Sequence, residues 1–201
     1  MAATSPFTLE VRIVGFADLA GFQVAAERLD LMALAAALQG YYEAVDRIVS
    51  DHGGRVVKFI GDAVLFCFPA GADVGANQRV RPAIDQCIRP AIDQRVRPAL
   101  ACARELARAA AARAAADFGG APLALSVGLE MGDVVSGEFG APGRRTFDLF
   151  GRTVNTAAIL CRGQGIIVGE AFRAALGDAV AIEPLPPIRR PNREIPAYRV
   201  R

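Results

Sequence analysis

Residues 56–68 read Val56-Val57-Lys58-Phe59-Ile60-Gly61-Asp62-Ala63-Val64-Leu65-Phe66-Cys67-Phe68, VVKFIGDAVLFCF, two apolar runs separated only by Gly61-Asp62. Short runs rich in β-branched and aromatic residues form strands, and a two-residue break containing glycine predicts a hairpin with an acid at its tip. Such a hairpin needs a partner to cover its apolar side. Upstream, from about Asp30, Leu31, Leu34, Ala35, Leu38, Tyr42, Val45 and Val49 recur at spacings of three and four as far as Gly53-Gly54, which predicts an amphipathic helix. Before that helix, Leu9, Val11 and Ile13 alternate with Thr8, Glu10 and Arg12, the period of a half-buried strand that runs into Phe16 and ends at Asp18.

The same reading continues downstream. Ala101 to Asp117 is alanine-rich with spaced charges and stops at Gly119-Gly120, a helix. Leu123, Leu125, Val127 and Leu129 alternate as a strand, Val134 to Phe139 reads as another after Gly132-Asp133, and Thr146 to Phe150 as a third. The stretch 151–163, GRTVNTAAILCRG, predicts a short helix between glycines carrying a buried Asn155, then Ile159 and Arg162. Ile166 to Val168 and Val180 to Ile182 flank a short helix at Glu170 to Leu176, and Ile195 to Val200 closes the sheet. Strand, helix, hairpin, helix, strand is the order of an α+β fold, a ferredoxin-like βαββαβ sandwich whose antiparallel-rich sheet carries helices on one face.

One segment stands apart. Residues 79–100 repeat an eight-residue unit, RVRPAIDQ, CIRPAIDQ, RVRPAL, with Pro82, Pro90 and Pro98 in register. A proline every eighth residue argues against one continuous helix and for short turns that each begin at a proline. Five arginines against two aspartates give the segment a charge of +3, more than the +2 of the whole chain. It reads as an insertion at about 79–98 in a surface loop, where extra length costs little, rather than as a basic contact surface.

Composition bounds the rest. With 201 residues, 53% of them hydrophobic, the chain can bury a full core as a single domain over 1–201. No uncharged apolar stretch of about 18 residues occurs and the start lacks the features of a secretory signal, so a cytoplasmic location without a membrane segment is expected. Cys67, Cys87, Cys102 and Cys161 show no C-x-x-C spacing and read as free thiols. The small net charge gives no argument for nucleic acid as a partner. His52 is the one histidine and reads as a solvated loop residue, which leaves Ser-His or Cys-His chemistry without a base. Neither phosphate-binding glycine fingerprint, G-x-x-x-x-G-K-[ST] or G-x-G-x-x-G, is present.

Asp18 and Asp62 each end an apolar strand beside glycines, a natural seat for hard divalent cations, although the first also suits a helix cap and the second a plain turn. Four ordered stretches, VRIVGFADLAGFQ, GGRVVKFIGDAVLFCFP, LSVGLEMGDVVSGEFG and RRTFDLFGRTVNTAAIL, resemble the class III adenylate and guanylate cyclase catalytic domain over about residues 9–185. The resemblance implies a head-to-tail homodimer with substrate sites shared across its interface. It also implies conversion of a nucleoside triphosphate to the 3′,5′-cyclic monophosphate and pyrophosphate.

Carried over to this sequence, the resemblance makes Asp18 and Asp62 the ligands of two Mg²⁺ or Mn²⁺ ions. It makes the backbone of Leu19, Ala20, Gly21 and Phe22 the triphosphate-binding loop, and Lys58 and Asp148 the pair that reads the base. A lysine donor facing a purine ring nitrogen and an aspartate accepting from an exocyclic amine fit adenine, so ATP is the expected substrate and the chain is expected to be an adenylate cyclase. Asn155 matches the residue that orients the ribose and the transition-state arginine. That arginine is due four residues later, where Ile159 stands. Losing one preorganised donor costs about 10²- to 10³-fold in rate, so low turnover is expected. Two groups could compensate: Arg162, which returns to nearly the same helical face, and the Arg189-Arg190 pair, of which Arg190 falls near the family's phosphate-binding lysine. A nucleotide-binding or regulatory module without efficient turnover is the alternative. Nearly the whole chain is consumed by the motifs, so regulation is expected from a partner, from another part of a longer protein or from expression level.

Overall fold

The structure, a computed structural model, describes residues 6–70 and 89–201. The opening strand β1 (Phe7–Ala20) leads into a short helix α1 (Phe22–Arg28) and the long helix α2 (Leu31–Asp51). The hairpin follows as β2 (Arg55–Ile60) and β3 (Ala63–Pro69), then α3 (Arg89–Ala116) and β4 (Ala124–Phe139). These elements form the expected ferredoxin-like core, with neighbouring strands in the order β2-β3-β1-β4. Next come β5 (Thr146–Phe150), α4 (Arg152–Leu160), β6 (Ile166–Val168), α5 (Glu170–Leu176), β7 (Ile182–Arg190) and β8 (Arg193–Val200). The sheet continues past β4 as β6-β8-β7, with β5 pairing β4 from the side.

Ile13 and Val14 are consecutive on β1 and both fully buried, so both faces of the sheet are covered there. The expected helical layer lies on the Ile13 face, where Val45 and Val49 of α2, Ala99 and Leu106 of α3 and Phe172 of α5 share one cluster with Ala17, Phe66 and Val127. On the Val14 face α4 adds a smaller second layer, its Ala157 packing with Leu65, Cys67, Val134 and Leu149. Gly128 of β4 permits this approach: a Cβ there would stand 2.1 Å from the Ala157 carbonyl oxygen.

Asp30 caps α2, its carboxylate accepting from the backbone N–H groups of Met32 and Ala33, both at 3.0 Å. The buried stripe of α2 is Ala37, Tyr41, Val45, Ile48 and Val49, rotated slightly from the periodic set in the sequence: Leu31 is 81% exposed, and Tyr41 rather than Tyr42 lies in the core. His52 is not a free loop residue. Its Nδ1 sits 2.9 Å from the Ile48 carbonyl oxygen and its Nε2 3.6 Å from Glu105, which ties the end of α2 to α3.

Three expectations need correction. Helix α3 runs through Pro98 without a break. An interior proline costs about 3 kcal/mol, and the burial of Val96, Ala99, Leu100, Cys102 and Ala103 around it offsets that. The repeat before residue 89, Cys87 included, lies outside the described residues. Gly132-Asp133 does not separate two strands, because β4 continues across it with β1 paired along its length from Ala124 to Gly137. Finally, Val180 to Ile182 is not a strand of its own. The edge strand is β7, whose prolines Pro184, Pro186 and Pro187 are tolerated there because an edge strand has one unpaired side. Helix α1 carries no strong periodic signal and is an addition to the predicted elements.

Candidate functional site

Asp18 lies near the end of β1, opposite Ser126 of β4, and Asp62 lies in the two-residue turn between β2 and β3. That turn is fixed from below. Gly61 takes φ +63, a conformation that favours glycine, and its carbonyl oxygen accepts from the Tyr42 hydroxyl at 2.5 Å. The Tyr42 ring stacks on Phe59, centroid to centroid 4.0 Å, so α2 holds the hairpin tip in register with β1. The result brings the two acids close enough for each carboxyl to act on the other. Burial pushes the Asp62 carboxyl up, a bond to its own backbone N–H opposes this, and the neighbouring Asp18 raises it further.

Two carboxyl groups this close resist simultaneous ionisation unless a cation lies between them. Among the described residues no cluster of three or more His, Cys, Asp or Glu side chains is placed to hold a metal. The pair instead has the character of a Mg²⁺ or Mn²⁺ seat completed by water and phosphate oxygens, since such ions use one or two carboxylates rather than an all-protein cage. The donor set therefore fits the expected ions. After Asp18 the strand runs two residues further, with Leu19 buried and Ala20 ending β1 opposite Ala124, before Gly21 adopts φ +90 and Phe22 opens α1. A side chain on Gly21 would press on the Pro122 carbonyl oxygen at 2.7 Å. The first N–H groups of α1 have no intrahelical acceptor, as at any helix start.

Lys58 and Asp148 meet as a pair, with Nζ donating to Oδ2 at 2.6 Å, although 90 residues separate them in sequence. A bulge at Val57 shifts the β2–β3 register so that Lys58 stands opposite Leu65. Bulges of this kind re-aim a side chain, and this one turns Lys58 toward β5. Among the described residues no hydrogen bond or ion pair joins this pair to Asp18 and Asp62.

Helix α4 is docked firmly but exposes its functional candidates. Thr153 Oγ1 donates to the Asp133 carbonyl oxygen at 2.9 Å, and Thr156 Oγ1 to Arg152 O at 2.9 Å. Asn155, expected to be buried, is exposed because Thr153, Thr156, Ala157 and Leu160 form the buried side of the helix. Ile159 is half-buried and packs against the apolar cluster of Leu160, Ile167, Ile195 and Ala197, on which Leu185 and Ile188 of β7 also pack. Arg162 lies beyond the C-cap Cys161, exposed to solvent. Cys161 is buried, its thiol donating to Ser126 O at 3.2 Å, and burial followed by the charge of Asp18 pushes it up to about 12, which makes it inert.

Arg190 ends β7 opposite Arg193, and its Nε is buried without a hydrogen-bond partner. Arg189 is taken up by Glu194 at 3.2 Å. Arg190 and Arg193 lie on the same hairpin face as Ile188 and Ile195, which belong to the apolar cluster that Ile159 packs on. Arg193 was not among the sequence candidates. With Arg152, Thr153, Thr156 and Glu130 it lines a cleft of about 220 Å³ beside α4, and the only sequence signal for it was one more arginine in an arginine-rich tail. Glu130 was also missed; it accepts from the Met131 and Phe172 N–H groups at 2.9 and 3.3 Å and so pins the start of α5.

The family described as the adenylate and guanylate cyclase catalytic domain matches residues 8–163 of this chain, a span that contains every expected site residue except Arg190. The fold resembles that of the adenylyl cyclase CyaB from P. aeruginosa, with TM-score 0.80 and 21% identity over 96% of this chain and 95% of that one. It also resembles the guanylate cyclase domain of RhGC from Catenaria anguillulae, solved in complex with GTP, with TM-score 0.76 and 22% identity over 96% and 98% of the two chains. An uncharacterised protein of Mycobacterium tuberculosis is 38% identical over 72 residues, which is 36% of this chain and only 18% of that longer relative. No helix among the described residues is long and apolar enough to cross a membrane.

Proposed function

Because the chain belongs to the adenylate and guanylate cyclase catalytic domain family, we propose that it is an adenylate cyclase that converts ATP to 3′,5′-cyclic AMP and pyrophosphate. The observation that carries the choice of ATP is the Lys58–Asp148 pair at 2.6 Å. Each side chain satisfies the other in the free protein. An adenine edge entering between them takes one donor from Lys58 at a ring nitrogen and gives its exocyclic amine to Asp148. Guanine presents a carbonyl where that amine would be, and Asp148 would then face an acceptor with an acceptor.

Asp18 and Asp62 would hold the divalent ions, which when bound would neutralise charge at the phosphates and acidify the ribose 3′-hydroxyl. The backbone N–H groups of Leu19 to Phe22 cradle the triphosphate, and Asn155, on the exposed face of α4, orients the ribose. The 3′-oxygen attacks the α-phosphorus, its proton passes to solvent, and the bond to the pyrophosphate oxygen breaks. Arg190 on the hairpin and Arg162 past α4 are the cations the resemblance offers to meet the developing charge. Two copies related head to tail share each site. The exposed strip of Leu9, Val11 and Phe150, 67%, 47% and 49% accessible, is an apolar surface that a second copy would cover.

A second reading, a nucleotide-binding regulatory module with little turnover, is favoured by one observation. Ile159 packs on the apolar cluster that includes Ile195 and Ala197 of β8, and it offers no donor. Product analysis with each of the four ribonucleoside triphosphates and Mn²⁺ or Mg²⁺ separates the readings: cyclic AMP from ATP supports the enzyme. Nucleotide binding without any cyclic product supports the module.

A further inference from the structure

Arg55 and Phe147 make a contact that the proposed reaction leaves unused. The Arg55 guanidinium lies over the Phe147 ring, 3.8 Å from its centroid. Among the described residues the Arg55 side chain forms no ion pair or hydrogen bond, so the ring is its defined partner. Phe147 directly precedes Asp148 on β5. On β2 the bulge at Val57 puts Arg55 opposite Cys67 and Lys58 opposite Leu65, so these two cations, three residues apart, share one face. In a regular strand, residues at that spacing would point to opposite faces. Leu65 and Cys67 belong to the apolar cluster around Val14, and Phe147 packs against the same cluster.

The order of the sheet gives this contact its weight. β2 is bonded to β3 and β5 to β4, while β3, β1 and β4 stand between them, so no backbone hydrogen bond sets the gap from β2 to β5. Among the described residues, charged groups cross that gap in two places: Lys58 Nζ donates to Asp148 Oδ2 at 2.6 Å, and Arg55 lies on Phe147. The Asp148 carboxylate is oriented from its own strand, Oδ1 accepting from the Leu149 N–H at 2.8 Å, which leaves its distance from β2 unfixed. When a base enters between Lys58 and Asp148, their ion pair opens. Arg55 on Phe147 is then the charged contact that still spans the gap. Attraction between a cation and a ring face persists out to about 6 Å, so it outlasts a small parting of the strands that would break a hydrogen bond.

We propose that Arg55 is a positioning residue for base selection, holding β2 against β5 through the Phe147 ring so that Lys58 and Asp148 keep the spacing an adenine edge requires. This rests on the reading of Lys58 and Asp148 as the base-selecting pair. Discrimination between two purines depends on donors and acceptors meeting at hydrogen-bond distance, and a gap free to widen would let either base sit loosely. The bulge at Val57 then serves both cations, aiming one at the base and the other at the ring beside it.

The test measures binding of 3′-deoxy-ATP and 3′-deoxy-GTP, which lack the attacking hydroxyl, to the full chain by isothermal titration calorimetry with Mn²⁺. Arg55→Met keeps a long apolar stem and removes the charge. It is expected to reduce the preference for the adenine nucleotide about three- to fivefold, the scale of an exposed cation–π contact, through weaker binding of 3′-deoxy-ATP. Arg55→Lys keeps a cation for the ring and is expected to retain most of the preference. Phe147→Leu should match Arg55→Met, with no further loss when the two are combined. An unchanged preference in Arg55→Met overturns the proposal, as does an equal loss of affinity for both nucleotides, which would mark Arg55 as a structural residue. Asp148→Asn separates this from the underlying reading. If it too leaves the preference unchanged, or wild type binds both nucleotides alike or neither, the base-selecting assignment falls and the Arg55 proposal with it.

Discussion

At the hairpin tip the backbone and ring contacts that place Asp62 are tied down, whereas along the outer face of α4 the expected groups stand free. Tyr42 fixes Gly61 and stacks on Phe59, and the two acids lie close together. On α4 the firm contacts all lie on the inner face: Thr153 bonds to β4 and the helix backbone rests on Gly128. Asn155 is exposed, and the position one turn later is an isoleucine absorbed into apolar packing. The acid end has both expected carboxylates; the helix end is docked as a scaffold but carries an apolar side chain where a cation is expected. If both belong to one site, chemistry should depend steeply on the first and be limited by the second.

The largest effect is expected at the acid end. Asp18→Asn or Asp62→Asn should lower Mn²⁺-dependent cyclic nucleotide formation on the order of 10³-fold, several kcal/mol of transition-state stabilisation, in a steady-state assay. Retained activity in both would break the contrast at its stronger side. Next comes the scaffold of the weaker side. Gly128→Ala drives a methyl group into the Ala157 carbonyl and should destabilise the fold by about 1–3 kcal/mol in denaturant unfolding, with α4 displaced from β4. Asp148→Asn swaps one acceptor for an amide that can also donate. It should cut the preference for ATP over GTP by about tenfold in kcat/KM, the scale of one charged hydrogen bond.

The smallest effect is on pH. The Asp62 carboxyl is raised above its ordinary value of 3.8, mainly by burial. The folded chain therefore holds that proton more tightly than the unfolded chain. The stability from this group is present below 3.8 and is lost as pH rises through the raised value. Metal-free Asp62→Asn should lack this decline, so the difference between the two unfolding profiles should grow with pH across that window and then level off. A parallel pair of profiles would show that Asp62 titrates normally.

How far the sequence reveals this contrast depends on the kind of contact involved. The strands, the hairpin and α2 follow from periodicity because burial repeats along them, and Asp62 at the tip follows from the two-residue break. The pairing of Lys58 with Asp148 does not, since a contact across 90 residues leaves no local pattern; it came only from the family resemblance. The unbroken α3 was hidden because local proline rules say nothing of the burial that outweighs them. Tyr41 was hidden because adjacent tyrosines at a helix position blur the phase of the stripe, and a rotation of one residue exchanges the core and turn-holding roles. Arg193 and Glu130 were hidden for a simpler reason: each acts across elements that only the assembled sheet brings together.

Ile159→Arg compared with wild type, assayed for cyclic AMP from ATP and Mn²⁺ at high protein concentration, tests the central claim most directly. A competent acid end limited by a missing cation predicts slow product in wild type and a gain of about 10²-fold in the variant, with Asp62→Asn abolishing both. Absence of any cyclic nucleotide from either protein would contradict it.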